Sequence, residues 1–169
     1  RSLPTGCTDI VIPLHQDRIF RFDGVDAHRA RLFSGAVVQG PHDRFSVRGM
    51  GGPSSVIGVH FKPAGAATFF AGALLHLRNQ TVLLEDVWGS TAVELRQRLQ
   101  ETVTAREKIR TIERYLVARL AGEPVLDSVV QFALGAFSAQ PSEACVAKVQ
   151  QASGCGPARF IRRFEDSVG

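Results

Sequence analysis

Thr8-Asp9-Ile10-Val11-Ile12-Pro13-Leu14 opens a series of short runs rich in β-branched and aromatic residues, each closed by turn formers. Ile19-Phe20-Arg21-Phe22 follows and is closed by Asp23-Gly24. Arg31 to Val38 is closed by Gln39-Gly40-Pro41. Phe45-Ser46-Val47-Arg48 is closed by Gly49, Gly51, Gly52 and Pro53. Val56-Ile57-Gly58-Val59-His60-Phe61 is the last and most apolar run. Strands spaced by roughly ten residues predict a small antiparallel β-barrel or sandwich. Asp9 sits in an apolar strand, and strand alternation assigns it to the wet face.

Beyond residue 61 the period changes. Lys62-Pro63-Ala64-Gly65 reads as a turn, and Ala66 to Leu74 as a short apolar helix weakened by Gly72. A further short strand is expected at 80–85, and Glu85-Asp86-Val87-Trp88-Gly89 as a turn. From 91 to 139 three stripes mark three helices: Leu95, Leu99 and Val103; Ile109, Ile112, Leu116 and Leu120; Leu126, Val129, Val130, Ala133 and Phe137. Glu94 and Arg98 are four apart in the favourable order. Gly122-Glu123-Pro124 separates the second and third helices. The fold class is therefore α+β: strands over 1–62, flanking helices from about 64 to 121, and a separate helical unit from 125 to 169.

That last unit carries the sharpest pattern. Val146, Val149 and Ala152 share a helical face up to Ser153-Gly154, and Gly156-Pro157 starts another helix. Phe160 and Phe164, four apart, anchor this helix, while Arg159, Ile161, Arg162 and Arg163 point elsewhere. Helix, tight glycine turn and basic amphipathic helix make a helix-turn-helix, which fits a DNA major groove. Spacing alone does not separate it from an ordinary helical hairpin with a solvated basic face.

Composition is compatible with DNA binding without requiring it. The net charge is +4, from 20 basic and 16 acidic residues. Residues 1–140 hold 16 of the bases and 13 of the acids and are nearly balanced, while Arg159, Arg162 and Arg163 fall within five residues near the C-terminus. Hydrophobic residues at 44% allow a core of ordinary size. Cys7, Cys145 and Cys155 give no disulfide framework and no zinc spacing, so reduced thiols in a cytoplasmic protein are expected. No apolar run approaches the roughly 20 residues that span a bilayer, and no signal peptide is seen.

Val149-Gln150-Gln151-Ala152-Ser153-Gly154-Cys155-Gly156-Pro157-Ala158-Arg159-Phe160-Ile161-Arg162-Arg163-Phe164 resembles the first helix-turn-helix of AraC/XylS regulators. Those proteins show an aliphatic residue and alanine, then glycine, serine, and a spaced arginine before phenylalanine. The tail Glu165-Asp166-Ser167-Val168-Gly169 is similar to the family's exit from this unit. Leu3-Pro4-Thr5-Gly6-Cys7-Thr8-Asp9-Ile10-Val11, Gly58 to Ala67 and Leu84 to Gly89 resemble the β-rich N-terminal domain of one branch of these regulators. Two departures stand out. Gln150 replaces a small residue. Gly156 replaces a serine cap, which weakens capping by about a few tenths of a kcal/mol. A third and more serious departure is that the family's second helix-turn-helix is absent from these residues; with Arg1 in place of a methionine at the start and an unfinished motif at Gly169, both ends are read as trimmed boundaries.

The resemblance implies a bacterial, cytoplasmic transcription regulator that is not an enzyme and uses no cofactor or metal. Residues 1–121 would form the regulatory domain and its connector helices, and 125–169 the first half of the DNA-binding domain, with Val125 to Ser138 as its first helix. Its partners would be DNA, a small effector and a second copy of the chain, with no membrane. Ala158, Ile161 and Arg162 match positions that face base edges, and Arg159 and Arg163 match positions nearer phosphate. For the effector, the residues named are His60, in the most apolar strand, and Trp88, which lines a pocket or plugs the interface between strands and helices. A stand-alone small-molecule-binding or cupin-like enzyme domain with a purely structural C-terminal hairpin is the alternative.

Overall fold

The computed structural model describes residues 5–15, 18–23, 30–49, 55–70, 73–120 and 126–169. Among the described residues there are seven strands: β1 (Asp9–Pro13), β2 (Arg18–Asp23), β3 (Ala30–Ser34), β4 (Val37–Gln39), β5 (Ser46–Gly49), β6 (Val56–His60) and β7 (Thr81–Leu83). The helices are α1 (Leu74–Leu77), α2 (Leu84–Trp88), α3 (Ser90–Glu101), α4 (Ala105–Arg119), α5 (Ser128–Ala139), α6 (Val146–Ala152) and α7 (Pro157–Val168). The chain is α+β, as its two periodicities require. The strands pair antiparallel in a four-stranded sheet, order β6-β1-β4-β7, and a three-stranded sheet, order β3-β2-β5. Among the described residues the sheets do not close into a barrel.

Alternation on β1 organises the layers. Ile10 and Ile12 point to one face, where they meet Val38, Phe70, Leu84, Trp88 and Leu95 in the main core. Val11 points to the other face, where Val37 and Leu83 pack on Ile19 and Phe33 of the second sheet. The four-stranded sheet thus has helices on one side and strands on the other. Fully burying a side chain such as Leu95 or Leu99 contributes about 1.5–3 kcal/mol.

At one end the space between the sheets becomes polar. Asp9 is opposite His60 on β6 and Gln39 on β4, and Gln39 is opposite Thr81 on β7. Cross-strand partners share a face, so these four residues form a row facing the second sheet. Arg21 of β2, on the same face as Ile19, donates a hydrogen bond from Nη1 to Thr81 Oγ1. Arg21 and Gln39 are each 3% exposed.

Several sequence expectations change in detail. The run 31–38 is two strands, β3 and β4, broken at Gly35. The helix expected from Ala66 is a succession of turns over 66–70, in which Gly65 N–H bonds back to Lys62, Ala67 to Ala64 and Phe69 to Ala66, while Phe70 also reaches Ala66, four residues back. This tighter path sets Phe69 and Phe70 beside Phe61, at ring centroid separations of 5.2 and 5.9 Å. The acidic stretch 84–88 is a helix, not a turn. Val103 lies past the end of α3 and is 88% exposed, so it does not extend the Leu95–Leu99 stripe. Ile109 and Leu120 are exposed, leaving Ile112 as the buried residue of the second stripe. The glycine segment 50–52, the turn at Gly24, the opening Leu3-Pro4, the Gly72 position and the break at 122–124 lie outside the described residues.

Gly40 joins the strands to α1. Its N–H donates to Gln80 O at 3.1 Å. A Cβ at this position would lie 1.9 Å from the carbonyl oxygen of Leu77, a backbone atom that cannot swing aside. Gly40→Ala is therefore expected to lower stability by about 2–3 kcal/mol, measured by urea unfolding. A loss below about 0.5 kcal/mol would show that this approach is looser than described.

Candidate nucleic-acid interface

The three C-terminal helices make a small core of their own. Ala133, Val149, Cys155 and Phe160 are buried together, with Phe137 and Phe164 packed against them. Phe160 and Phe164 stand 5.0 Å apart and Phe137 and Phe164 6.3 Å apart, ring to ring. The expected anchoring of α7 by its two phenylalanines is what the structure contains. On α6 only Val149 is buried. Val146 and Ala152, expected on the same face, are exposed.

The turn between α6 and α7 has a local cause. Gly154 adopts φ +67°, a region that costs an L-residue about 1–2 kcal/mol. Gln150 donates from Nε2 to the carbonyl oxygen of Cys155, and Ser153 Oγ accepts from the Cys155 N–H at 3.3 Å. The larger residue at 150 is thus part of the turn. Pro157 starts α7, whose N-cap Gly156 supplies no side-chain cap.

The opposite face of α7 is open. Ala158, Arg159, Ile161 and Arg162 are exposed, Ile161 at 56%. Arg162 has 84% of its side chain exposed, and its Nε is 4.0 Å from Asp166 Oδ2. A pair so exposed is worth only a few tenths of a kcal/mol, so the guanidinium is available to another acceptor. Arg163 is placed differently. Its Nη1 lies 3.1 Å from Asp127 Oδ2, with side chains 36% and 29% exposed. Asp127 is also the N-cap of α5 and accepts from the N–H groups of Val129 and Val130 at 2.9 and 3.2 Å. Arg163 therefore ties α7 to the start of α5. A capping aspartate before α5 was readable from residue type; its pairing with an arginine 36 residues away was not.

The two residues named for a small ligand are not brought together. His60 lies on the inter-sheet face with Nδ1 2.6 Å from Asp9 Oδ1, and most of its side chain is exposed. Trp88 lies on the other side of the same sheet. It stacks on Phe70 at 5.5 Å, donates from Nε1 to Phe69 O at 3.3 Å, and carries the Arg119 guanidinium 4.4 Å above its ring. Trp88 is a core residue joining the turns at 63–70, α2 and α4. Among the described residues no three His, Cys, Asp or Glu side chains cluster as metal ligands. Sequence reading missed Arg21 and Gln39. The signal for Arg21 was its alternation with Ile19, which places both on one face.

The far end of α7 meets the N-terminal unit. Arg78, just after α1, has Nη1 3.2 Å from Glu165 Oε1. A Cβ on Gly169 would lie 2.8 Å from Pro41 Cγ and 3.4 Å from Leu74 O. Between them is an open cavity of about 300 Å³ lined by Arg78, Phe137, Val146, Ile161, Phe164 and Val168.

The three cysteines are free. The backbone N–H groups of Lys148 and Ala147 hold the exposed Cys145 thiol below its ordinary pKa, whereas burial pushes that of Cys7 up. A lowered pKa means more thiolate at a given pH. Iodoacetamide at neutral pH should therefore label Cys145 well before Cys7, read by peptide mass; equal rates would contradict the two environments. Asp127→Ala removes a cap and an ion pair together, and should destabilise the helical unit by about 1–2 kcal/mol. Arg163→Ala should cost less than about 1 kcal/mol. Thermal melts of both variants check this, and an equal loss in the two would remove the capping role.

Comparison with known families matches residues 1–83, the segment holding the seven described strands, to the family described as Domain of unknown function (DUF6597). No curated protein and no solved structure matches the chain.

Proposed function

We propose that the chain is part of a DNA-binding transcription regulator of AraC/XylS type, in which α7 enters the major groove and the β-rich unit responds to a small effector. The observation that carries this reading is the division of α7. Phe160 and Phe164 are held in the helical core, while Ala158, Arg159, Ile161 and Arg162 stand open on the other side. A helix whose N-terminal half offers arginines can pair them with guanine edges and phosphates. The match over residues 1–83 falls on the segment whose sequence resembles the regulatory domain of such proteins, and supports a separate N-terminal unit. No described helix is long and apolar enough to cross a membrane, in keeping with a cytoplasmic regulator.

The roles of the arginines separate. Arg162, at the centre of the open face, reads a base. Arg159 contacts phosphate. Arg163 positions α7 through Asp127. A second copy would meet the chain along α3 and α4, where Val93, Val103, Ile109 and Val117 are exposed.

The test is fluorescence anisotropy of the chain, with any flanking sequence its gene encodes, on its own upstream DNA across a salt series. Specific binding with a steep salt slope is expected. Arg162→Ala should cost about 1–3 kcal/mol on the preferred site and little on unrelated DNA. Arg159→Ala should weaken both and lower the slope by about one. Absent or salt-insensitive binding would overturn the reading.

A further inference from the structure

Two segments of the N-terminal unit cover the end of α7. Arg78, just after α1, places Nη1 3.2 Å from Glu165 Oε1. Pro41, shortly after β4, approaches Gly169 so closely that a Cβ there would lie 2.8 Å from Pro41 Cγ. The two segments are braced on each other. Asn79 N–H donates to Pro41 O at 2.8 Å, and Gly40 N–H to Gln80 O at 3.1 Å. The Asn79 side chain donates to Asp43 Oδ2 and accepts from the Asp43 N–H, both at 3.1 Å. They form one lobe, continuous with β4 on one side and β7 on the other.

This lobe sits on the face that DNA would need. Glu165 is four residues past Ile161 and three past Arg162, so it stands one turn further along the same face of α7. Ile161 and Arg78 line one cavity. The side chains of this face are open to water, but a duplex is far larger than a solvent molecule. The major groove is about 12 Å wide, and a helix with its side chains is about 10–12 Å across. One helical turn advances only about 5.4 Å. A helix lying in the groove fills it, so a second element cannot stay on its reading face one turn from Ile161.

We propose that the structure is a closed arrangement, in which the lobe of Pro41 and Arg78 keeps duplex DNA off α7, and that α7 enters the groove only after the lobe lets go. This rests on the regulator reading and adds how its DNA-binding face is controlled. The hold suits a switch, because the Arg78–Glu165 pair has side chains 47% and 42% exposed and is therefore weak.

The experiment locks the contact with a disulfide. Pro41→Cys and Gly169→Cys are introduced together with Cys145→Ser, which removes the exposed native thiol. The close approach of the two positions suits the span of a disulfide. Oxidised glutathione should cross-link the pair within one chain, read by mass without reductant. Anisotropy on the chain's own upstream duplex should then show binding at least about tenfold weaker in the oxidised than in the reduced state. Cys145→Ser alone should show no such difference. Arg78→Glu tests the same contact without a new bond, and serves should the cysteine pair not fold. It turns the ion pair into a repulsion, so affinity for the duplex should rise about two- to fivefold although the chain loses positive charge. A fall in affinity would mean that Arg78 meets DNA itself, and would overturn the proposal. Equal binding in the oxidised and reduced states, or no disulfide from a folded cysteine pair, would overturn it as well. A disulfide that forms while neither state binds DNA would instead sink the regulator reading, and this inference with it.

Discussion

The side-chain alternation along β1 is the constraint on which the architecture rests. Ile10 and Ile12 must be covered by helices, and Val11 must be covered by a second sheet. A shift of one residue in the β1–β4 pairing would send both isoleucines to the wrong layer and bring Asp9 into the helical core. The helical layer includes Trp88, whose contacts collect the turns at 63–70, α2 and the end of α4 onto one indole. The second sheet packs on the opposite face, whose contacts are apolar around Val11 and polar around Asp9.

The C-terminal helices depend on a different device. Buried Ala133, Val149, Cys155 and Phe160 hold the three helices together, the left-handed Gly154 turns the chain between α6 and α7, and the Arg163–Asp127 pair ties α7 to α5. The two phenylalanines and Arg163 are used inward, which frees Arg159 and Arg162. One helix thus carries two arginine roles that charge counting treats as one. The end of α7 is also held by Arg78 and Pro41, so its position depends on the N-terminal unit as well as on its own core.

Period and turn chemistry made much of this readable before any coordinates. Five apolar runs and a helical remainder were enough for α+β, and the Gly154–Pro157 step was enough for two short helices joined by a turn. What escaped was non-local. The turns over 66–70 bring Phe69 and Phe70 beside Phe61, a contact that the local period does not reveal. Asp127 as partner of Arg163, and Thr81 as partner of Arg21, are separated by 36 and 60 residues, and no local pattern connects them. His60 and Trp88 were attractive by type alone, yet the sheet stands between them.

Cross-linking tests the central claim, the meeting of the open face of α7 with DNA, most directly. A photoreactive phenylalanine analogue is placed at Ile161 on α7 or, as a control, at the similarly exposed Val117 on α4. Irradiation with the chain's own upstream duplex should cross-link DNA from position 161 and not from 117. Equal cross-linking from both, or none from 161, would contradict the account.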